Sequence, residues 1–484
     1  MSRDRNRLLR NILSRLPGGC SMPKTSLFLF RRDLRIVDNT GLLAASAASE
    51  SVIPAFIFDP RQCDPDENSF FSQHAFTFLI HCLQELDASL RGRESHLFVF
   101  SGDPSDVVQT LVREGAASAL YVNRDYTPFS KQRDRQLREI CSEHGAEFHA
   151  MDDLLLTEPE EVQPRQGGAY HVYSRFRRHA QSHDISRPEE TEPGPFYRGT
   201  LPLDTVPLSK YDRYSAGELF LTGGRAEGET LLRGIGALDT YREDRHRPDA
   251  RSYTGLSAHH KFGSVSIRES YWAVQDAYEG YHKLLSQLYW RDFYTHLLFH
   301  RPRQLYEPLQ PLGRFIDWNN DRAAFDQWCR GQTGFPFVDA GMRQLNATGY
   351  MHNRARMTVA SFLTKDLLID WRWGAQYFAR TLIDYDPAVN AGNWQWSASV
   401  GTDYKLRIYN PYLQAKKHDP EANYIKRWVP ELEAVEVSTL TNGEQVDLSN
   451  RADYPAPIVS RNAAYHRARS VFKDARDKSR AERT

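Results

Sequence analysis

The run SLFLF at residues 26–30, continued by RRDLRIVDNTG at 31–41, sets the reading of the first third of the chain. Five residues with no charge and little alternation of polar with apolar suit a strand covered on both faces, as in a parallel sheet. The same kind of run returns as VIPAFIF (52–58), HLFVF (96–100), ALYV (119–122) and EFHA (147–150). Stretches of helical spacing lie between them at 72–90, 104–114 and 130–144. Strand alternating with helix predicts an α/β domain, a doubly wound parallel five-stranded sheet, over residues 25–150. Residues 31–41 then fall at the carboxyl end of the first strand, where such sheets bind ligands. They hold no GxGxxG, so a Rossmann-type dinucleotide site is not indicated.

On the amino-terminal side, residues 1–24 are arginine-rich and weakly amphipathic. They read as a disordered leader, with an organelle transit peptide or a start at Met22 as the alternatives. On the other side, 151–219 is rich in Pro, Gly, Glu and Ser and reads as a long interdomain linker. From 220 to 430 the pattern is helical, at 227–241, 266–280, 281–300, 321–330, 338–348, 354–369 and 374–383, which predicts a mainly α domain. Residues 431–484 form a C-terminal segment, extended around ADYPAPIVS and ending in a short charged helix at 463–480.

Composition narrows the function classes. The chain has 484 residues, ample for several domains, and its 62 Lys+Arg balance its 62 Asp+Glu, so a nucleic-acid site has to be a local patch. The five cysteines, Cys20, Cys63, Cys82, Cys141 and Cys329, show no CxxC spacing. That argues against a disulfide framework or a cysteine zinc site and fits a reducing compartment. No run is long enough to span a membrane.

The densest chemistry sits in LIDYDPAVNAGNWQWSASVGT, residues 382–402. Asp384, Asp386 and Asn390 can hydrogen-bond a polar heterocycle and a ribose, and Trp394 and Trp396 offer stacking faces or a path for an electron. Pro387 disfavours helix at Asp386, and Gly392 permits a turn. The same residues would equally serve as a helix N-cap, a turn asparagine and two core tryptophans. Upstream, TGLSAHHKFGSVS places Thr254, Gly255, Leu256 and Ser257 just before a helix, where N–H groups and hydroxyls suit a pyrophosphate or a plain cap.

Eight segments, FRRDLRIVDN, TGLSAHHKFGSVS, LYWRDFY, DAGMRQL, GYMHNRARM, KDLLIDWRWG, LIDYDPAVNAGNWQW and RIYNP, occur in one order along the chain. Together they resemble the photolyase/cryptochrome family of blue-light flavoproteins, most closely its class I-type cyclobutane pyrimidine dimer photolyases. The resemblance implies an N-terminal antenna domain, a long linker and a helical domain that holds FAD. Carried onto this sequence, the FAD contacts are Tyr241, Thr254, Gly255, Leu256, Ser257, Arg291, Asn353, Arg356, Asp384, Asp386 and Asn390. Asn390 matches the position facing the flavin N5, where photolyases carry asparagine. Trp394, Trp371 and Trp318 match the electron relay, with Trp394 nearest the flavin; Trp328 and Trp428 read as core.

The lesion pocket implied by the resemblance has Trp290 and Trp396 as clasping indoles, with Asn353, Met357 and Gln287. Many bacterial relatives carry glutamate where Gln287 stands; glutamine still donates and accepts hydrogen bonds but supplies neither proton nor charge. The (6-4) photolyases carry histidines where this chain has Asn353 and Met357. Arg245, Arg354, Lys405 and Arg407 flank these motifs and suit phosphate contacts. Lys261 matches a lysine that contacts an 8-hydroxy-5-deazaflavin antenna. Thr127 stands where folate-binding members carry glutamate, so deazaflavin is favoured over methenyltetrahydrofolate, with FMN, FAD or an empty pocket as the alternatives. The expected activity is light-driven, FAD-dependent splitting of cyclobutane pyrimidine dimers in ultraviolet-damaged DNA by a monomer, without metal or membrane, in the cytoplasm or nucleoid of a prokaryote. The alternatives are a cryptochrome-type photoreceptor acting on a protein partner and a DASH-like single-strand photolyase. A general flavin oxidoreductase is disfavoured for want of a nicotinamide fingerprint.

Overall fold

The structure, a computed structural model, describes residues 24–482 apart from 218, 239, 251, 252, 404, 451 and 452. All but the last residue of the expected leader lie outside the described residues. Five strands, β1 (Thr25–Phe30), β2 (Ser51–Phe58), β3 (Phe98–Ser101), β4 (Ala119–Asn123) and β5 (Glu147–Met151), pair in parallel in the order β3-β2-β1-β4-β5. Successive residues of β1 enter opposite cores. Leu27 and Leu29 join Ile53, Val108, Leu111 and Leu137, whereas Phe28 and Phe30 join Phe58, Phe78, Leu83 and Phe262. Burial on both faces is why the run shows no polar alternation. The second core is shared between the sheet and the helical half, since Ala258, Phe262 and Ile383 belong to it.

Helices α1 (Thr40–Ala48), α2 (Pro60–Cys63), α3 (Gln73–Arg91), α4 (Pro104–Arg113) and α5 (Pro128–Glu143) cover the sheet. Their starts are chemically marked. Asn39, Asp103 and Thr127 accept from Leu42 N, Ser105 N and Ser130 N, and proline opens α2, α4 and α5. Helix α1 was not expected: TGLLAASAA is apolar nearly all round and carries no period to read. The connection after β5 contains a helix of its own, α6 (Tyr173–Ala180), whose Phe176 is fully buried.

The helical half comprises α7 (Arg225–Arg233), α8 (Tyr241–Asp244), α9 (Leu256–Phe262), α10 (Ile267–Ala277), α11 (Lys283–His300), α12 (Arg322–Arg330) and α13 (Pro336–Thr348). It continues with α14 (Asn353–Ser361), α15 (Trp371–Thr381), α16 (Pro387–Ala398), α17 (Pro411–His418), α18 (Asn423–Trp428), α19 (Val437–Thr441) and α20 (Arg461–Ala481). Two expected helices are interrupted. The one at 227–241 breaks into a 3-10 turn at Gly234–Ala237, where two glycines weaken an α-helix. The one at 354–369 ends in a π turn, Phe362–Asp366, which buries Lys365 and Asp366. Burial pushes the Lys365 ammonium down and the Asp366 carboxyl up. Arg461 of α20 reaches Asp366 at 3.1 Å, and Phe472 packs into the main helical core, so the terminal helix docks on that turn. Gly392, expected to permit a turn, lies inside α16 instead: a Cβ there would overlap the Tyr294 ring of α11, so the glycine allows two helices to close.

The two halves are joined by buried ion pairs at the carboxyl ends of the strands. Arg35, in the loop after β1, donates to both Asp153 oxygens at 2.8 and 2.7 Å, and Arg268 of α10 donates to Asp153 at 2.8 Å and to Asp38 at 3.0 Å. Both carboxylates are almost wholly removed from solvent. Burial alone would raise the Asp153 pKa, but the charges of Arg35 and Arg268 reverse it and hold the group below the ordinary carboxylate range. Removing one partner of such a buried pair costs about 3–5 kcal/mol, because the other charge is left uncompensated. Arg268→Ala should therefore lower unfolding free energy by about that amount in urea titrations at neutral pH. Because the Asp153 pKa is depressed by folding, its contribution is complete above about pH 4 and is lost as the pH falls below that. Asp153→Asn should flatten the acid limb of stability against pH; an unchanged limb would contradict the assignment.

Candidate active site

The residues proposed from the sequence fall in four groups. The first surrounds α9. Gly255 sits in the left-handed region at φ 68°, Thr254 Oγ accepts from Leu256 N at 3.4 Å, Leu256 is buried and Ser257 is exposed. Tyr241 opens α8, buried, with the Arg245 guanidinium 5.7 Å from its ring centre. Arg356 of α14 donates to Asp384 Oδ2 at 3.0 Å and to Met351 O at 2.7 Å, which fixes its guanidinium plane. Asp384 Oδ1 and Arg245 Nη1 are buried polar atoms with no protein partner. A buried acceptor and a buried cationic donor left unmatched fit a polar, anionic heterocyclic ligand.

Asp386 and Arg291 are more heavily committed than the sequence suggested. Asp386 caps α16 by accepting from Val389 N at 3.0 Å, and its other oxygen is paired with Arg32 of the loop after β1. Arg291 sends its donors to Leu154 O at 2.7 Å and His260 O at 3.5 Å, binding α11 to the start of the linker and to α9. Asn390, one turn past the cap, donates to Ala375 O at 3.1 Å. Lys261 is half-buried between Asp386 and Asp125, with Arg32 beside it; burial and Arg32 bring its pKa down to about 8.

The proposed lesion and DNA residues fall into clusters. Asn353 Nδ2 and Arg354 Nη1 both lie 3.7 Å from Met357 Sδ, and Arg354 Nε donates to His246 Nδ1 at 3.0 Å. Burial together with the charges of Arg354, Arg245, Lys417 and Lys283 presses the His246 pKa down to about 4, so cations concentrate here. Such a patch suits phosphate. Trp396 is half-buried under the Arg407 guanidinium, 4.9 Å from its ring centre, and Arg407 pairs with Asp403; Lys405 is exposed. Gln287 is exposed, one turn before Trp290 on α11. Trp290 carries a feature the sequence did not reveal: Tyr173 of α6 stacks on it at 3.7 Å and 7°, with its hydroxyl bonded to Ser286 O at 2.8 Å. Among the described ring contacts none joins Trp290 to Trp396.

Trp394 and Trp371 are buried in the main helical core, and Trp318 packs on its edge against Phe472 at 6.2 Å. The Trp394 indole meets Phe378 at 4.9 Å and Trp328 at 6.2 Å. Trp328, read from the sequence as core, is indeed fully buried, and its indole N–H donates to Val359 O at 3.1 Å. Gly374 of α15 lets Trp394 lie flush against that helix, since a Cβ there would overlap the indole. No described helix is long and apolar enough to cross a membrane.

The model of the FAD binding domain of DNA photolyase matches residues 284–474, and that of DNA photolyase matches 26–194. The chain is similar to the deoxyribodipyrimidine photo-lyase of Synechococcus sp., 37% identical over 92% of this chain and 96% of that protein. Among solved structures it is similar to an archaeal photolyase from Sulfolobus tokodaii with two FAD molecules, at 38% identity and TM-score 0.83 over 93% of this chain and 100% of that one. It also resembles a bacterial class III photolyase from Agrobacterium tumefaciens, at 32% identity and TM-score 0.86, covering 95% and 99%.

The close fit of Trp394 against α15 has a direct consequence. Gly374→Ala should displace the indole and lower stability by about 1–3 kcal/mol, the usual cost of overpacking a core. Thermal unfolding with tryptophan near-ultraviolet circular dichroism checks both; an unaltered spectrum and midpoint would contradict the geometry.

Proposed function

The chain belongs to the DNA photolyase family, and from that premise we propose that it is a light-driven DNA-repair lyase that binds FAD and splits cyclobutane pyrimidine dimers in ultraviolet-damaged DNA. The observation that carries the flavin assignment is the Arg356–Asp384 pair with its unmatched Asp384 Oδ1, inside a segment matched by the FAD binding domain. Bound FAD supplies the light absorption and the electron; the protein supplies shape, charge and exclusion of water.

The roles follow from the side chains. Arg356 places positive charge where a reduced flavin ring would be anionic, and Asp384 holds that arginine in plane. Tyr241, Thr254, Gly255, Leu256 and Ser257 hold the diphosphate and sugar, with Asn353, Asp386, Asn390 and Arg291 closing the rest. Trp290 and Trp396 stack the extruded pyrimidines. Extrusion costs least for a dimer that already stacks poorly, and each base–aromatic stack returns about 1–3 kcal/mol. Gln287, Asn353 and Met357 line the pocket, and Arg245, Arg354, Lys405 and Arg407 take phosphates. Trp394 gives an electron when resting flavin is photoreduced, and Trp371 and Trp318 carry the vacancy outward. An antenna at the carboxyl ends of the strands would touch Lys261, half-buried near Asp125 and Asp386; what supports 8-hydroxy-5-deazaflavin there is the match of this lysine to the family's deazaflavin contact. The two FAD molecules of the Sulfolobus tokodaii protein favour a second reading, a flavin antenna.

Blue light and a reductant should restore ultraviolet-irradiated oligothymidine. Failure on both single and double strands would favour a photoreceptor, and repair of single strands alone would make the protein DASH-like and implicate Gln287. Trp290→Ala should weaken lesion binding about 5- to 150-fold, the equivalent of about 1–3 kcal/mol, while FAD is retained. Trp394→Phe should block photoreduction of oxidised protein but spare repair once the flavin is chemically reduced; loss of repair in reduced protein would refute the division of roles. Chromatography of released chromophores should give a deazaflavin, whereas folate would contradict the antenna reading.

A further inference from the structure

Aromatic contacts around Trp394 lead somewhere other than Trp371. Its ring neighbours among the described contacts are Phe378 and Trp328. Trp328 in turn meets Tyr377 at 5.7 Å and Phe325 at 5.8 Å. Phenylalanine is far harder to oxidise than indole or phenol, so the oxidisable path runs Trp394, Trp328, Tyr377. Tyr377 is half-buried and lines a cavity of about 340 Å3 between α12 and α15, open on one side. That volume is in the range of small-molecule sites, about 300–1,000 Å3. The cavity has aromatic walls, Phe325 and Trp373 in edge contact at 5.2 Å with Tyr377 beside them. Its charge is net positive. Arg322 is paired with Asp326 at 3.2 Å, whereas Arg380 donates to the neutral Ser69 carbonyl at 2.6 Å and enters no described ion pair.

We propose that this cavity is an electron-entry site for a small planar anion of the enediolate type, seated among Phe325, Trp373 and Tyr377 with its charge toward Arg380, and that it refills the vacancy reaching Tyr377 from Trp394 through Trp328. The inference rests on the reading of Trp394 as the residue that gives an electron to the flavin. The oxidised Trp394 takes one electron from Trp328, and oxidised Trp328 takes one from Tyr377. The hydroxyl's own partners, Asn346 Oδ1 at 2.7 Å and Cys329 O at 3.1 Å, are neutral and too weak to keep the phenolic proton, which leaves to solvent through the open cavity that Tyr377 lines. A neutral tyrosyl radical results. The bound enediolate monoanion then gives a hydrogen atom to that oxygen, restoring the phenol and leaving as a radical anion. Per cycle one electron has entered the protein, one proton has gone to solvent, and the donor has lost one of each. Burial raises the Tyr377 pKa to about 12, which keeps the phenol protonated between cycles and favours hydrogen-atom return.

The test uses full-length protein loaded with FAD, ascorbate as the probe, and blue-light flavin photoreduction followed optically and by electron paramagnetic resonance. Trp371→Phe should keep a residual photoreduction that falls at least about tenfold further when Trp328→Phe or Tyr377→Phe is added. A tyrosyl signal should appear in Trp371→Phe without ascorbate and vanish with Tyr377→Phe. The rate should saturate with ascorbate, and Arg380→Gln should make it linear and slower at low concentration. Equal rates in Trp371→Phe and in both double variants would overturn the branch, and an identical linear dependence in wild type and Arg380→Gln would overturn the site. Tyr377→Phe, which keeps the ring, decides the matter even if Trp328→Phe fails to fold. Photoreduction persisting in Trp394→Phe is the separate result that would sink the donor assignment itself, and this inference with it.

Discussion

Arg35, Asp153, Arg268 and Asp38 form a buried ionic knot on which the mutual placement of the two halves depends. Each ion taken out of water costs several kcal/mol, and that is offset only if every partner arrives in register. The knot draws on three separate parts of the chain: the loop after β1, the residue pair after β5, and the start of α10. Thr40 and the linker add their own bonds, with Thr40 Oγ on Asp153 at 3.0 Å and Glu189 N on Asp38 at 2.8 Å. A sheet and a helical bundle joined by apolar contacts alone could slide; a network with few unmatched charges permits one arrangement.

The consequence reaches the active site through Arg32. This neighbour of the knot leaves β1, lies against the carbonyl of Lys261 at 3.2 Å and pairs with Asp386. Asp386 is the cap of α16, the helix that bears Asn390, Trp394 and Trp396. The end of the sheet therefore sets where α16 begins. Two glycines let that helix close on its neighbours, Gly392 toward Tyr294 of α11 and Gly374 of α15 toward Trp394. Rigid placement is what positioning chemistry needs, because stacking and electron transfer both decline steeply with small displacements.

How much of this was legible depends on which physical signal each residue sends. The five strands could be read because two-sided burial forces uninterrupted apolar runs, and the eight ordered motifs carried the flavin reading with them. Helix α1 sent no signal, since an apolar segment in the middle of a domain has no polar face to give it a period. Gly392 was read as a turn because glycine permits both a turn and a close approach, and sequence does not separate the two. Asp386 was read as a ligand contact or a cap; the structure makes it a cap and an interdomain ion pair as well. Tyr173 and His246 were invisible for another reason. Their importance comes from what they touch, Trp290 and Arg354, more than a hundred residues away.

On the proposed branch Trp328 would be core and conductor at once. The sequence assigned it to packing, and complete burial agrees. Yet the same close aromatic packing that stabilises the core, with rings 5.7–6.2 Å apart, is what lets an electron pass between them. What separates the roles is the fate of the proton. The Trp328 N–H points at the Val359 carbonyl, which accepts a hydrogen bond but is far too weak a base to take the proton. An oxidised Trp328 would thus keep its proton and remain a strong oxidant, unable to rest until an electron arrives from beyond it. Tyr377 also bonds only neutral oxygens, but it is half-buried on a cavity open at one side, so on the proposed branch its proton would have a way to solvent and the vacancy could be held until a second molecule meets it. Burial depth, rather than the presence of an aromatic ring, sorts residues that pass charge from those that store it.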